Sequence, residues 1–296
     1  LFSARTANDI YLHTWWHADA KKSASCVLSN NQVRQSPFCS TKVSTCKAPY
    51  NYYDSFTYIS IPRNGSEKLG YSSLDGAEFA TESNMTMSWS CFEYFTDVYV
   101  DVTLTTNKNI SSANQVKIRP SKLKFSKQLL SDSTIRIGVS YNPGGYRFSV
   151  EFDSELFTAY DRSGVLSETV DAHSRDVHIQ PRNTMMIFAQ PKVSDEDGEL
   201  IPKSQAGTIF RPTQGDISYI DDVQADVISF GPGTYFMGPR HMAELSSNVK
   251  WIYFAPGAYV KGAFKFPEGP QSCYRVTGYG VLSGEQYIYI RNRYRR

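Results

Sequence analysis

No run of apolar side chains in these 296 residues approaches the ~18–20 needed for a membrane-crossing helix, and no segment sustains an apolar stripe at helical spacing. The first absence leaves no helical span within these residues, and no membrane partner is expected. The second points away from helices altogether. There is no Gly-x-Ser-x-Gly elbow, no glycine loop leading into a helix to cradle phosphate, and no Cys-x2-Cys pair. Serine-hydrolase, nucleotide-binding and zinc-ribbon chemistries lose their usual carriers. His13, His17, His173, His178 and His241 fall at no metal-ligand spacing, so neither metal nor cofactor is expected. A positive excess is also missing. The net charge is +2, and Arg291, Arg293, Arg295 and Arg296 lie in the last six residues, which leaves −2 for the rest. No basic folded face is available for nucleic acid, and 291–296 reads as a solvated basic tail.

What is present is a folded composition, 41% hydrophobic and 14% aromatic with 20 tyrosines. Apolar residues alternate. Val98, Val100, Val102 and Leu104 share one face, as do Ile135, Ile137, Val139 and Tyr141, and Tyr146, Phe148, Val150 and Phe152. Period two is the mark of half-buried strands, because successive side chains point to opposite faces. Asn142-Pro-Gly-Gly145 between the last two runs makes a tight turn. The fold class is therefore all-β, with residues 1–191 expected as an antiparallel β-sandwich.

Residues 192–225 are rich in charge, Gly, Pro and Ser and read as a linker; Asp221-Asp222 near its end read as solvated loop acids. Beyond them the chain repeats itself. VISFGPGTYFMG (227–238) returns 24 residues later as WIYFAPGAYVKG (251–262), and a looser copy, VTGYGVLSG (276–284), follows at an interval of 22. Short strands broken at glycine corners and recurring every 20-odd residues suit a parallel β-helix, in which each coil pairs with its neighbours. Residues 226–290 are expected to form about three such coils of a helix that stops early.

Export is the expected fate. Asn64, Asn84 and Asn109 head glycosylation triplets, and a secretion signal is expected to be either absent or already removed ahead of Leu1. Cys26, Cys39, Cys46 and Cys91 cluster in the first third, consistent with two disulfides whose pairing the spacing leaves open; Cys273 stands alone.

Several segments resemble glycoside hydrolase family 49, the dextranases and isopullulanases. They are Thr14-Trp-Trp-His17, Val33-Arg-Gln-Ser36, Tyr53-Asp-Ser-Phe56, Arg147-Phe-Ser-Val-Glu-Phe152, Tyr253-Phe-Ala-Pro-Gly-Ala-Tyr-Val-Lys-Gly-Ala263 and Gly280-Val-Leu-Ser-Gly-Glu-Gln-Tyr287. The resemblance implies a sandwich followed by a right-handed parallel β-helix, secretion, and inverting hydrolysis of α-glucans such as dextran or pullulan. The acidic, Thr-rich stretch that follows Trp-Trp-His in the family is replaced here by Ala18–Cys26. The family's catalytic aspartates sit in Gln-Thr-Asp-Gly and Asp-Asp-Asp-Gly or Asn-Asp-Asp-Ala motifs, and none of these occurs in the 296 residues. No catalytic residue is assigned.

Inverting hydrolysis needs an acid and a base carboxylate ~6.5–9.5 Å apart. The repeats supply only Glu244, Glu268 and Glu285 between or after the units, and no paired partner can be placed. Candidate sugar contacts are Trp15, Trp16, Tyr259, Lys261, Tyr279, Glu285 and Tyr287, each with a structural alternative as packing or a corner anchor. The expectation is the amino-terminal part of a secreted dextranase-like endo-hydrolase, inactive as these residues alone, with an α-glucan as its possible partner. The alternative is a secreted non-catalytic carbohydrate-binding or interaction protein derived from such an enzyme. A pectinase-like enzyme would want a basic groove or calcium-binding acids on the coils, and neither is evident.

Overall fold

The computed structural model describes residues 5–24, 28–61, 86–106, 109–158, 179–181, 183–194, 198–239, 241–267, 269 and 273–285. Asn64, Asn84, Cys26, His173, His178, Glu268, Tyr287 and the 291–296 tail lie outside them.

The alternating runs form the strands their period predicts. Two sheets face each other. The smaller has five strands in the order Ser126–Leu129, Thr134–Val139, Val98–Leu104, Cys39–Thr45 and Tyr53–Ser55, all antiparallel. The larger has nine strands and runs from Val116–Arg119 through Tyr146–Phe152, Thr184–Pro191, Met87–Tyr94, Thr57–Ser60 and Val33–Gln35 to Ala20–Lys22. A hairpin of Arg5–Asp9 and Leu12–Trp16 joins it through Leu12 opposite Tyr94. The larger sheet is mixed rather than purely antiparallel, because Thr184–Pro191 lies parallel to Met87–Tyr94 and Ala20–Lys22 parallel to Val33–Gln35.

Val98, Val100, Val102, Ile135 and Ile137 from one sheet meet Phe92, Phe148, Val150, Met185 and Ile187 from the other, all fully buried. Each such side chain contributes on the order of 1.5–3 kcal/mol by leaving water. The polar faces of the same strands look outward. There Arg136 sits directly opposite Asp101 and grips both carboxylate oxygens at 2.8 Å.

Strand pairing then changes character. Val227–Phe230, Trp251–Phe254 and Arg275–Gly278 lie parallel, one above the next, at intervals of 24 residues. A second parallel sheet stacks Gly233–Phe236, Ala258–Lys261 and Val281–Ser283, and a third pairs Met242–Glu244 with Ala263–Lys265. The stack starts earlier than expected. Ile209–Phe210 and Gly215–Asp216, within the segment read as a linker, form a lower tier beneath Val227 and Tyr235.

The tiers bury one apolar column: Ile228 under Ile252, Phe230 stacked on Phe254 with ring centroids 5.4 Å apart, and Ala258 and Val260 beside them. The sequence repeat suggests that Tyr235 and Tyr259 are equivalent. They are not. The first strands of the two tiers pair 24 residues apart, but in the second strands Thr234 pairs with Tyr259 and Tyr235 with Val260. A one-residue slip reverses faces. Tyr235 therefore points into the column and Tyr259 points out of it, toward the sandwich.

Candidate functional site

The slip turns Tyr259 and Lys261 toward Trp15 and Trp16, at the junction of sandwich and stack. Leu12–Trp16 delivers Trp15 and Trp16, Thr57–Ser60 delivers Tyr58, and the strand Ala258–Lys261 of the stack delivers Tyr259 and Lys261. Tyr58 lies sandwiched between Trp89 at 4.2 Å and Tyr259 at 5.7 Å, both stacked. Trp16 meets Phe56 edge-on at 5.2 Å. With Val33, these rings form an apolar cluster shared by both parts of the molecule.

Three hydrogen bonds thread the cluster. Trp15 Nε1–H donates to the Tyr58 hydroxyl at 3.1 Å. That hydroxyl in turn lies 2.6 Å from His17 Nε2. Trp15 can only donate, so with the neutral imidazole accepting at Nε2 the Tyr58 O–H has its own acceptor in the buried cluster and donates to His17. Burial pushes His17 down to about 3 and lifts the Tyr58 phenol well above its ordinary value. The Tyr259 hydroxyl donates to Ser283 Oγ at 3.0 Å.

Beside the rings lies an ionic group. Lys261 is completely buried, yet its Nζ reaches Glu285 Oε1 at 2.7 Å and the Ser29 carbonyl at 3.1 Å. Arg34, only 3% exposed, approaches the other oxygen of Glu285 at 3.5 Å. Burial holds the Lys261 ammonium below the usual lysine value, and Glu285 pulls it part of the way back. Sandwich and stack are thus tied by a cation from each, sharing one carboxylate.

This corrects the sugar-contact reading. Trp15, Tyr259 and Lys261 have 1%, 4% and 0% of their surfaces in water, so no sugar ring reaches them here. Trp16, Glu285 and Tyr279 are half-buried, Tyr279 at the corner between the last two strands. Sequence reasoning missed Arg34 and Tyr58, and considered His17 only as a metal ligand. A usable signal was present: Thr14–His17, Val33–Ser36, Tyr53–Phe56, Tyr253–Ala263 and part of Gly280–Tyr287, scattered along the chain, converge at this junction.

Among the described residues, Cys39, Cys46, Cys91 and Cys273 are free thiols, and Cys26 lies outside them. Cys39 and Cys91 are buried strand residues, and burial pushes the Cys39 thiol up to about 12 and that of Cys91 higher. Asn109 is exposed, as a glycosylation acceptor must be.

Among the described residues the stack carries two larger open clefts. One, of about 670 Å³, is lined by Asp226, Lys250, Trp251, Tyr274 and Arg275 among others; the second, of about 600 Å³, by Arg211, Gln214, Phe230, Pro232 and Tyr235 among others. Asp226 is the one carboxylate in either lining, and its Oδ2 already caps the Thr208 N–H at 2.7 Å. Other acids of the stack are also engaged: Asp221 Oδ1 accepts the Glu244 N–H at 3.1 Å, and Glu244 approaches Lys265 at 3.8 Å. Among the described residues, no group of three or more His, Cys, Asp or Glu comes together as a metal site.

The comparisons place this architecture. Residues 3–192 match the model of the glycosyl hydrolase family 49 N-terminal Ig-like domain. The chain is 51% identical to a dextranase of Arthrobacter globiformis over 288 residues, covering 96% of this chain and 45% of the relative. It is 38% identical to an isopullulanase of Aspergillus niger over 290 residues, 97% of this chain and 46% of that one. The solved structure of Dex49A from Penicillium minioluteum superposes with a TM-score of 0.80 at 32% identity, over 97% of this chain and 52% of that one. The chain thus spans about half the length of the relatives it matches. On the family match and these identities, the chain belongs to glycoside hydrolase family 49.

Proposed function

We propose that these residues are the amino-terminal part of a secreted, dextranase-like α-glucan endo-hydrolase: a sandwich domain followed by the opening coils of a right-handed parallel β-helix. The observation that carries this reading is 51% identity with a dextranase along nearly the whole chain. In the proposed enzyme the sandwich seats and orients the first coils, and acids on later coils do the chemistry. Two features support the division of labour. Neither cleft on the stack offers a pair of free carboxylates, which inverting hydrolysis needs. The upper face of the last described tier leaves Val276 and Leu282 57% and 47% exposed, although Ile252 and Val260 directly beneath them are buried. Apolar side chains in that column are suited to carry another coil.

The test is an assay of reducing-sugar release from dextran and pullulan. The 296 residues alone should release none. Joined in register to the remaining half of the Arthrobacter globiformis dextranase, they should restore hydrolysis of dextran. Hydrolysis by the 296 residues alone, or a correctly folded joined protein that cleaves neither glucan, would overturn the reading.

A further inference from the structure

The junction accounts for the buried aromatics, but not for the exposed ones. Five aromatic side chains among the described residues are large, apolar and exposed: Tyr11, Tyr50, Tyr52, Phe95 and Tyr219. The first four lie at one end of the sandwich.

Register places them there. Leu12 pairs with Tyr94, Thr45 with Val98, and Val98 with Val139, so the connections at 10–11, 46–52, 95–97 and 140–145 all leave the two sheets at the same end. Hydrogen bonds fasten these loops to one another. The Phe95 N–H donates to the Tyr11 carbonyl at 2.8 Å, the Cys46 N–H to the Asp97 carbonyl at 2.9 Å, and the Tyr141 N–H to Asp97 Oδ1 at 2.7 Å. Phe95 leans on Tyr141 with centroids 5.4 Å apart. Lys47 stands over Tyr11 at 5.9 Å, and Arg136 lies between Tyr52 and Tyr99 at 5.4 and 5.0 Å. The rings are therefore held on braced loops over a rigid double sheet, and loops of that kind usually carry recognition.

Exposure here is substantial. Tyr50 is 84% and Phe95 54% in water, with Ile10 at 73% beside them. Rings gathered on one surface forgo burial that a ligand can restore.

We propose that this end of the sandwich is an auxiliary binding surface for an uncharged polysaccharide, with Tyr50 and Phe95 as its stacking platforms. Charge balance selects the ligand. Arg136 is neutralised by both oxygens of Asp101, and the charges that remain at this end, Asp97, Lys47 and Lys192, are few and of mixed sign. They form no block of one sign to draw an acidic or basic polymer. The surface offers flat π faces with phenol hydroxyls at their edges, which match a pyranose: C–H groups stack on the ring, and hydroxyls find donors and acceptors around it. That the sugar is an α-glucan rests on the function proposed above. The surface would hold the enzyme on its polymer while cleavage proceeds elsewhere, raising the local concentration of cleavable chain.

The experiment is affinity electrophoresis of the 296-residue chain in gels containing dextran, pullulan or polygalacturonate. Dextran or pullulan should retard the chain, and polygalacturonate should not. Tyr50→Ala with Phe95→Ala should weaken retardation by about tenfold or more in apparent affinity. Tyr219→Ala, on the stack, should leave it unchanged. If the double variant shows an altered circular dichroism spectrum, Tyr50→Ala alone takes its place. Unaltered mobility in both glucans overturns the proposal, as does retardation that survives the platform substitutions or appears only in polygalacturonate. Concentration-dependent dimerisation abolished by the same substitutions also overturns it, because the occupant is then a second copy. Hydrolysis by the joined protein is read separately. No retardation of the unsubstituted chain, with hydrolysis by the joined protein intact, refutes this surface alone, and absent hydrolysis with intact glucan retardation refutes only the enzymatic reading.

Discussion

His17 shows how one side chain can join structure to environment. It is buried and accepts a hydrogen bond from Tyr58 at 2.6 Å, and burial lowers it from an ordinary 6.5 to about 3. The unfolded chain takes up this proton near pH 6.5, whereas the folded chain resists until about 3. Its contribution to stability is therefore complete above pH 6.5 and falls as the solution is acidified, by at most about 1.4 kcal/mol per pH unit. His17→Gln keeps an acceptor for the Tyr58 hydroxyl but cannot be protonated. Melting temperatures measured from pH 7 to pH 4 should fall less steeply for this variant than for the parent. Parallel curves would show that His17 does not titrate on unfolding. From sequence the residue could be noticed but not interpreted, because its partners Tyr58, Phe56 and Tyr259 are brought to it only by tertiary packing.

At the scale of elements, the period of the strands was legible and their register was not. The alternation Val98, Val100, Val102 and Leu104 is the burial pattern found, since one face of a sandwich strand has nowhere to go but the core. The repeat was equally visible, and the 24-residue interval is the true spacing of the first strands. What misled was the identity of Tyr235 and Tyr259, because a slip of one residue at the Pro256-Gly257 corner is silent in the letters and reverses the face. A corner further on exposes the backbone constraint directly. Gly278 has φ +109°, and a methyl group there would collide with the Phe254 backbone, which cannot move aside without breaking the tier below. Gly278→Ala should cost at least about 2 kcal/mol, from the positive φ and the collision together. Gly144 makes the contrast. A methyl there meets only the Asn142 side chain at 3.6 Å, and Gly144→Ala should stay within roughly 0.5 kcal/mol. Urea titrations of the two variants decide it; equal losses would remove the special role of the Gly278 corner.

For the whole molecule, the question is whether sandwich and stack unfold as one unit. Composition marks 192–225 as a linker, and a linker predicts loose association. The structure gives the opposite. Part of that segment is the lowest tier, the Thr277 hydroxyl and Arg275 reach back to the carbonyls of Leu200 and Glu199, and the Tyr58–Tyr259 stack spans the junction. None of this could be read from residue order, because a fully buried lysine is rare and Lys261 looks like any polar strand residue. Its ion pair with Glu285 makes the coupling testable. Lys261→Met removes one cation, frees the Ser29 carbonyl and leaves Arg34 as the remaining cation beside Glu285. Breaking a buried pair from one side costs about 3–5 kcal/mol, and Glu285 keeps a second partner and some water, so about 3 kcal/mol is expected. Differential scanning calorimetry should show a single transition for the parent, and for Lys261→Met a stack transition separated below that of the sandwich. Two resolved transitions already in the parent, or an unshifted single peak in the variant, would mean that the buried lysine does not couple the two parts.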